Sequence, residues 1–255
     1  MKTKEELKRL LDFISEYATC LMGSGVHTSR VVRCSQRVGV SQDVEVNFTT
    51  FQKSMVMSVR DQENGEVTTR VVAIPALPIN FHLNADLGTL SWEAIDEGLG
   101  LEEIRRRYAL ARKKAPINPK LTLAMVSLAN ASFCKLFGGD PMAVVVVLVA
   151  TLLGFSLKAQ LQKQGVNHFI NFMISAFVTS FVASASLWLH CSHEIALATS
   201  VLFLVPGVPL INGVVDIVEG HVLIGFSRLV NALLLILCLA IGLSATLLMI
   251  KDNLL

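Results

Sequence analysis

Pro206-Gly207-Val208-Pro209 stands near the middle of Thr199–Asp216, a stretch apolar enough to sit in a bilayer. Each proline removes a backbone donor and clashes with the carbonyl one turn earlier, so a straight helix cannot run through both. In lipid the freed carbonyls need another helix, a polar side chain or water. Broken helices at mid-membrane mark many transporter binding sites. A half-helix beginning at Pro209, the favoured first position, would aim partly positive amides inward, where an anion can dock. Asn212 and Asp216 follow on roughly the same face. A proline kink that serves packing alone is the competing reading.

The other polar residues of the apolar half are expensive in lipid and so are candidates for chemistry. Ser127, Asn130 and Ser132 precede Lys135 and the turn Gly138-Gly139-Asp140. Asn171, Ser175, Thr179 and Ser180 follow, and later Asn212, Asp216 and Glu219, then Arg228 and Asn231. No charge falls at the centre of an apolar stretch. Asp216, Glu219, His221 and Arg228 gather near one end, where they could pair or gate; interface anchoring is the plainer alternative. Ala129, Ala131, Ser184 and Ala185 suit close helix packing.

The elements that must position these residues follow from composition. The 255 residues are 53% hydrophobic and 16% charged, with a mean hydropathy of +0.57, too apolar for an ordinary soluble domain. Residues 1–120 hold 17 of the 22 Lys+Arg and 15 of the 20 Asp+Glu. A soluble domain over 1–118 is therefore expected to precede a membrane domain over 119–255, with the boundary near Pro116–Lys120. Five stretches are long enough for a membrane helix and are expected to span: Leu121–Phe137, Pro141–Leu157, Phe169–Leu189, Ile195–Val215 and Leu229–Ile250. The charged N-terminus has no apolar signal region, so the first domain is expected in the cytoplasm. Lys158 and Lys163 in one loop and Arg228 in another then face inside, which puts the C-terminus outside. Lys251 at the outer end weakens that bias slightly.

The polar half reads as α+β. Helical stripes over Lys4–Met22 and Val26–Val38 are followed by strands at Val44–Phe48, Met55–Val59 and Val67–Ile74. Asn64-Gly65 marks a hairpin between the second and third. Helices follow around Ala85–Glu97 and over Leu101–Lys114, the latter ending in a basic run that fixes topology. Arg30, Arg33 and Arg37 share one helical face, read as a solvated surface or a collector of anionic headgroups or substrate. His27 and His82 stand alone. No Walker loop, nucleophile elbow, HExxH or Cys/His triad order occurs. Five scattered cysteines without a CxxC pair argue against zinc and a disulfide framework, so no metal or cofactor is expected. The net charge of +2 is too small to argue for nucleic acid.

The sequence resembles the threonine/serine exporter (ThrE) family, in particular its two-part succinate-exporting branch. The resemblance rests on Phe133–Asp140, on Asn171-Phe172 with Ser175–Phe177, and above all on Ala198–Asp216 with Pro206-Gly207, Pro209 and Asn212. Gly220-His221-Val222, Gly225 and Arg228 extend it, and Gly25, Arg30 and Val31 match in the soluble half. Val32 and Arg33 stand where family members often carry an acid, so any role of that acid does not transfer. The resemblance implies an inner-membrane exporter of small carboxylates or hydroxy amino acids. It also implies a smaller, YjjB-like membrane subunit that supplies the second membrane domain of single-chain members. Membrane lipid surrounds such a chain, and a homo-oligomer is open to it.

Three functions are weighed. In an exporter subunit, the substrate carboxylate rests at the amides around Pro206, Gly207 and Pro209, with Asn212, Asn130 or Asn171 donating hydrogen bonds. Asp216 carries the coupling proton or cation, and Glu219, His221, Arg228 and Lys135 take part in coupling or gating. A non-transporting sensor or scaffold would use the soluble domain as its reporter. A membrane enzyme would have to use His190, Cys191 and His193, which lack a visible nucleophile geometry.

Overall fold

The computed structural model describes residues 2–114 and 117–250, so Lys251 and Pro116 fall outside it. The described chain forms two compact units. One takes the chain up to residue 114 together with Val208–Val230; the other takes 117–207 and the chain from Asn231. The segment Val208–Val230, assigned by hydropathy to the membrane half, thus packs with the polar half.

In the first unit, α1 (Lys4–Gly23) opens on a capping box in which Thr3 and Glu6 serve each other's orphan groups. Its apolar stripe, from Leu7 through Leu11, Ile14 and Ala18 to Leu21, is buried. α2 (Thr28–Val40) starts two residues later than the periodicity predicts. Gly25 turns the chain at φ +95°, a conformation that favours glycine, and His27 is extended. The strands β1 (Val44–Thr50), β2 (Ser54–Asp61) and β3 (Val67–Ala73) form an antiparallel sheet in sequence order. Met55, Met57 and Val59 point inward at period two and, with Val44 and Val46, share one core with α1. β3 is largely exposed, as expected for an edge of a one-sided sheet. α3 (Phe81–Asp96) begins four residues earlier than predicted because the Asn80 side chain accepts from the Leu83 amide at 3.0 Å. α4 (Leu101–Lys113) completes the layer, and the buried Tyr17 hydroxyl donates to the Leu87 carbonyl at 2.7 Å.

The second unit holds α5 (Pro119–Leu136), α6 (Pro141–Lys163), α7 (His168–Ala183), α8 (His193–Ser200) and most of α10 (Val222–Ile250). Small and hydroxylic residues line its contacts. Gly154 faces Thr179, Gly242 lies against the Met173 carbonyl, and the Ser180 and Thr246 hydroxyls bond at 2.7 Å. Asp140 caps α6 through the Ala143 amide at 2.8 Å and accepts from the Ser192 amide at 2.6 Å. These bonds hold the carboxyl below its usual range, the Ala143 amide being the largest cause. α7 ends at Ala183, and a 3-10 turn over Ser184–Ser186 follows. Trp188 and Leu189 therefore lie outside the helix, short of the predicted end.

Among the described residues three helices are long and apolar enough to cross a membrane: Pro141–Lys163, His168–Ser186 (α7 with its 3-10 turn) and Val222–Ile250. A fourth arises if His193–Leu204 and α9 (Gly207–Val218) count as one broken span. α5 is not among them, since its 18 residues include Lys120, Lys135 and several polar side chains; the five predicted stretches thus give three or four such spans. The break falls at Val205-Pro206. Val205 takes ψ 124°, the extended geometry that a following proline imposes. α9 begins at Gly207 rather than Pro209, which sits in its first turn, where the missing donor costs nothing.

α9 and the first turns of α10 cross at two glycines. A Cβ on Gly225 would lie 2.7 Å from the Gly213 carbonyl oxygen and 2.9 Å from the Ile217 amide. Gly225→Ala is expected to destabilise the protein by about 1–3 kcal/mol, because two of the three nearest obstructing atoms are backbone and the gain in helix propensity is only about 1 kcal/mol. Thermal unfolding of the detergent-purified chain checks this, and an unchanged or raised Tm contradicts it.

Candidate functional site

Asp216 is fully buried on α9. Its Oδ1 accepts from the Thr28 amide at 2.7 Å, and its Oδ2 lies 3.0 Å from Nη1 of Arg228 on α10. Thr28 opens α2, whose N-cap residue His27 makes no side-chain cap bond. A helix N-terminus presents unsatisfied amides and partial positive charge, and here the carboxylate meeting it comes from 188 residues further on. Oδ2 and Nη1 are both buried and form no aligned hydrogen bond, so their contact is an ion pair held by charge.

The same turn is gripped at three further points. Asn212 donates to the Gly25 carbonyl at 2.8 Å. Nη2 of Arg228 donates to the Val26 carbonyl at 3.2 Å and rests against the Met22 sulfur. Glu219 lies 3.3 Å from His27 Nδ1 and 3.6 Å from Arg33 Nη1. The Ser29 hydroxyl, then the charges of His27 and Arg33, hold the Glu219 carboxyl below its usual range. His221 closes the α9–α10 turn by donating its backbone amide to the Asp216 carbonyl at 2.7 Å. Asp216, Glu219, His221 and Arg228 thus form one cluster, joined by the α1–α2 connection that the sequence did not tie to them.

The predicted substrate-binding set divides. Pro209 and Asn212 belong to the first unit; Pro206, Gly207, Asn130 and Asn171 belong to the second. Asn130 is buried and donates to the Thr151 hydroxyl at 2.7 Å and to the Ser200 carbonyl at 3.1 Å. Asn171 donates to the Lys158 carbonyl at 3.0 Å and accepts from Ser175 at 3.0 Å. Their partners Thr151 and Lys158 both lie on α6, seven residues or about 10 Å apart along its axis, so the two amides brace different levels of the unit. Lys135 is exposed at the end of α5.

The three arginines of α2 part company. Arg30 donates to the Asn84 carbonyl at 3.3 Å and lies against Gly88. Arg37 donates to Ser91 at 3.0 Å and stacks over Trp92 at 3.8 Å. Only Arg33 reaches Glu219, so two of the three fasten α2 to α3 rather than presenting a common cationic face. In the second unit, a cavity of about 320 Å³ is lined by Phe137, Glu194, Ile195, Ala198, Thr199 and Leu202. Its one charged group is an acid, unsuited to receive an anion. Among the described residues no group of three His, Cys, Asp or Glu could hold a metal ion.

Asp216→Asn is expected to cost about 3–5 kcal/mol, since it leaves Arg228 buried without its counter-ion. Asp216→Asn with Arg228→Gln should cost less than the sum of the two single changes. Denaturant or thermal unfolding of the three variants checks the coupling, and strict additivity contradicts it. Glu219 has a depressed folded pKa, so its stabilising contribution is full above its ordinary value of 4.5 and lost as pH falls below that. Glu219→Gln should flatten the acid limb of a Tm-versus-pH curve; an unaltered limb assigns that slope to other groups.

Residues 12–250 match the family ThrE, described as "Putative threonine/serine exporter". A protein of Klebsiella aerogenes named "Probable succinate transporter subunit YjjP" is 29% identical over 246 residues, covering 94% of this chain and 93% of its own. One of Escherichia coli K12 with the same name is 27% identical over 227 residues, covering 87% of each chain. No solved structure matches. The family and these relatives are transporters, not enzymes. A match over nearly the whole chain, together with helices apolar enough to cross a membrane, makes this chain a member of the ThrE transporter family.

Proposed function

We propose that the chain is the larger subunit of a secondary exporter that moves small carboxylates of the succinate type across the inner membrane. A smaller, YjjB-like membrane subunit completes it. The observation that carries this reading is the name shared by the two relatives, each a subunit of a succinate transporter, over alignments covering most of both chains. In this reading residues 1–118 form a cytoplasmic domain and 119–255 cross the membrane five times, α5 included, with the C-terminus outside. α5 then crosses as a helix shielded by its neighbours, with Asn130 turned to Thr151 and Ser200 rather than to lipid. The break at Pro206 leaves the first amides of α9 for the substrate carboxylate, with Asn212 close by in sequence.

Coupling runs through Asp216. A proton taken up by its carboxylate removes the charge that both Arg228 and the α2 N-terminus require. That event links protonation to the position of the α9–α10 turn, with Glu219 and His221 beside it. Export of threonine or serine is the second reading, favoured by the description of the family itself.

Efflux from preloaded cells lacking their own exporters tests the proposal, with the chain expressed alone and with its candidate partner. Labelled succinate is expected to leave only when both chains are present. Threonine efflux in its place supports the second reading. Efflux of neither, with both proteins verified in the membrane, overturns the exporter reading for both substrates.

A further inference from the structure

Hydropathy places Lys158 in a loop, as a charge facing the cytoplasm. In the structure it lies within α6, five residues before the helix ends at Lys163. Its Nζ sits over the ring of Phe172 on α7, 4.5 Å from the centroid, and Phe172 is itself only 5% exposed. A lysine that anchors a span extends its amine outward to the headgroups; this one turns towards the neighbouring helix. The Asn171 bond to the Lys158 carbonyl fixes the backbone at this level, and the His168 ring stands 4.8 Å from that of Phe172. Among the described residues no carboxylate pairs with Lys158. An aromatic face offsets part of an ammonium's desolvation but accepts none of its three N–H bonds in the way an anion does.

The charges of the second unit are segregated. Its described acids are Asp140 and Glu194. Asp140 caps the opposite end of α6, 18 residues or about 27 Å from Lys158 along the axis. Glu194 opens α8 beside Ser192, which bonds to Asp140. An amino acid carries its ammonium next to its carboxylate and would bring a positive charge to Lys158, where neither described acid of this unit stands at the same level to receive it. A dicarboxylate has a second negative charge several bonds away and meets no such conflict.

We infer that Lys158, seated on Phe172, receives one carboxylate of the exported substrate and selects dicarboxylates over zwitterionic amino acids. The inference rests on the exporter reading and narrows its substrate. With the partner subunit present, Lys158→Gln should raise the apparent KM for succinate by about tenfold to a hundredfold, the loss expected for a charge-assisted bond. Its maximal rate should change little, and Lys158→Arg should restore a KM near that of the wild type. An unchanged KM in Lys158→Gln overturns the inference and leaves the exporter reading standing.

Succinate-induced thermal stabilisation of the purified two-chain complex separates the two ideas when wild-type transport is absent. Stabilisation by succinate but not threonine, lost in Lys158→Gln, supports the cation site while the exporter reading fails; no stabilisation of the wild type overturns both. If Lys158→Gln does not accumulate, acylation of Lys158 in the wild-type complex by an amine-reactive ester, read by peptide mass spectrometry, serves in its place. Succinate should protect Lys158 and threonine should not; equal labelling with and without succinate overturns the inference.

Discussion

The carboxylate of Asp216 meets three demands at once. It satisfies an orphan amide at the start of α2, it opposes the positive end of that helix, and it neutralises Arg228. None of these groups has a substitute nearby. His27 offers no side-chain cap, and Arg228 turns its other terminal nitrogen to the Val26 carbonyl and the Met22 sulfur. The close glycine crossing of α9 and α10 brings Asp216 and Arg228 together on one hairpin, and Asn212 adds a neutral bond to Gly25. The hairpin and the α1–α2 connection therefore hold each other in shape. Buried ion pairs are weak evidence for stability but costly to break on one side, which makes such a pair a better switch than glue.

The second unit solves a different problem. Its helices are apolar enough to cross a membrane, and polar side chains turn inward in pairs: Asn130 with Thr151, Asn171 with Ser175, Ser180 with Thr246. Each pair joins neighbouring helices or braces one turn, and the glycines opposite Thr179 and Met173 allow the backbones to approach. Asp140 closes the far end by capping α6 and holding Ser192. Lys158 stands apart from this pattern as a charge with a ring beneath it and, among the described residues, no counter-ion.

Much of this was legible in the sequence. Period-two alternation locates β2, the Asn64-Gly65 turn locates its hairpin, and the apolar stripe of α1 is buried as read, with Phe13, Tyr17, Cys20 and Met22 buried beside it. The proline pair announced the break, although α9 starts at Gly207 because a proline is free anywhere in a first helical turn. Clustering by sequence distance also brought Asp216, Glu219, His221 and Arg228 together. Their partners Thr28, Gly25, Val26 and His27 escaped notice because backbone groups leave no mark in a residue code, and pairing across 188 positions has no period. Lys158 was misplaced for a related reason. Hydropathy ends a span at the first charge, whereas hydrogen bonding continues a helix until a residue such as Gly165, at φ +74°, turns it aside.

The capping of α2 by Asp216 also has a consequence in time. During synthesis the chain up to residue 114 emerges first and can collapse around α1 and the sheet, as N-terminal regions generally do. The start of α2 then waits, uncapped, until about a hundred further residues have been made and the α9–α10 hairpin arrives. Maturation of the polar domain is thereby tied to arrival of this late hairpin, and a chain in which it fails to dock keeps an unfinished α1–α2 connection that cellular quality control can recognise.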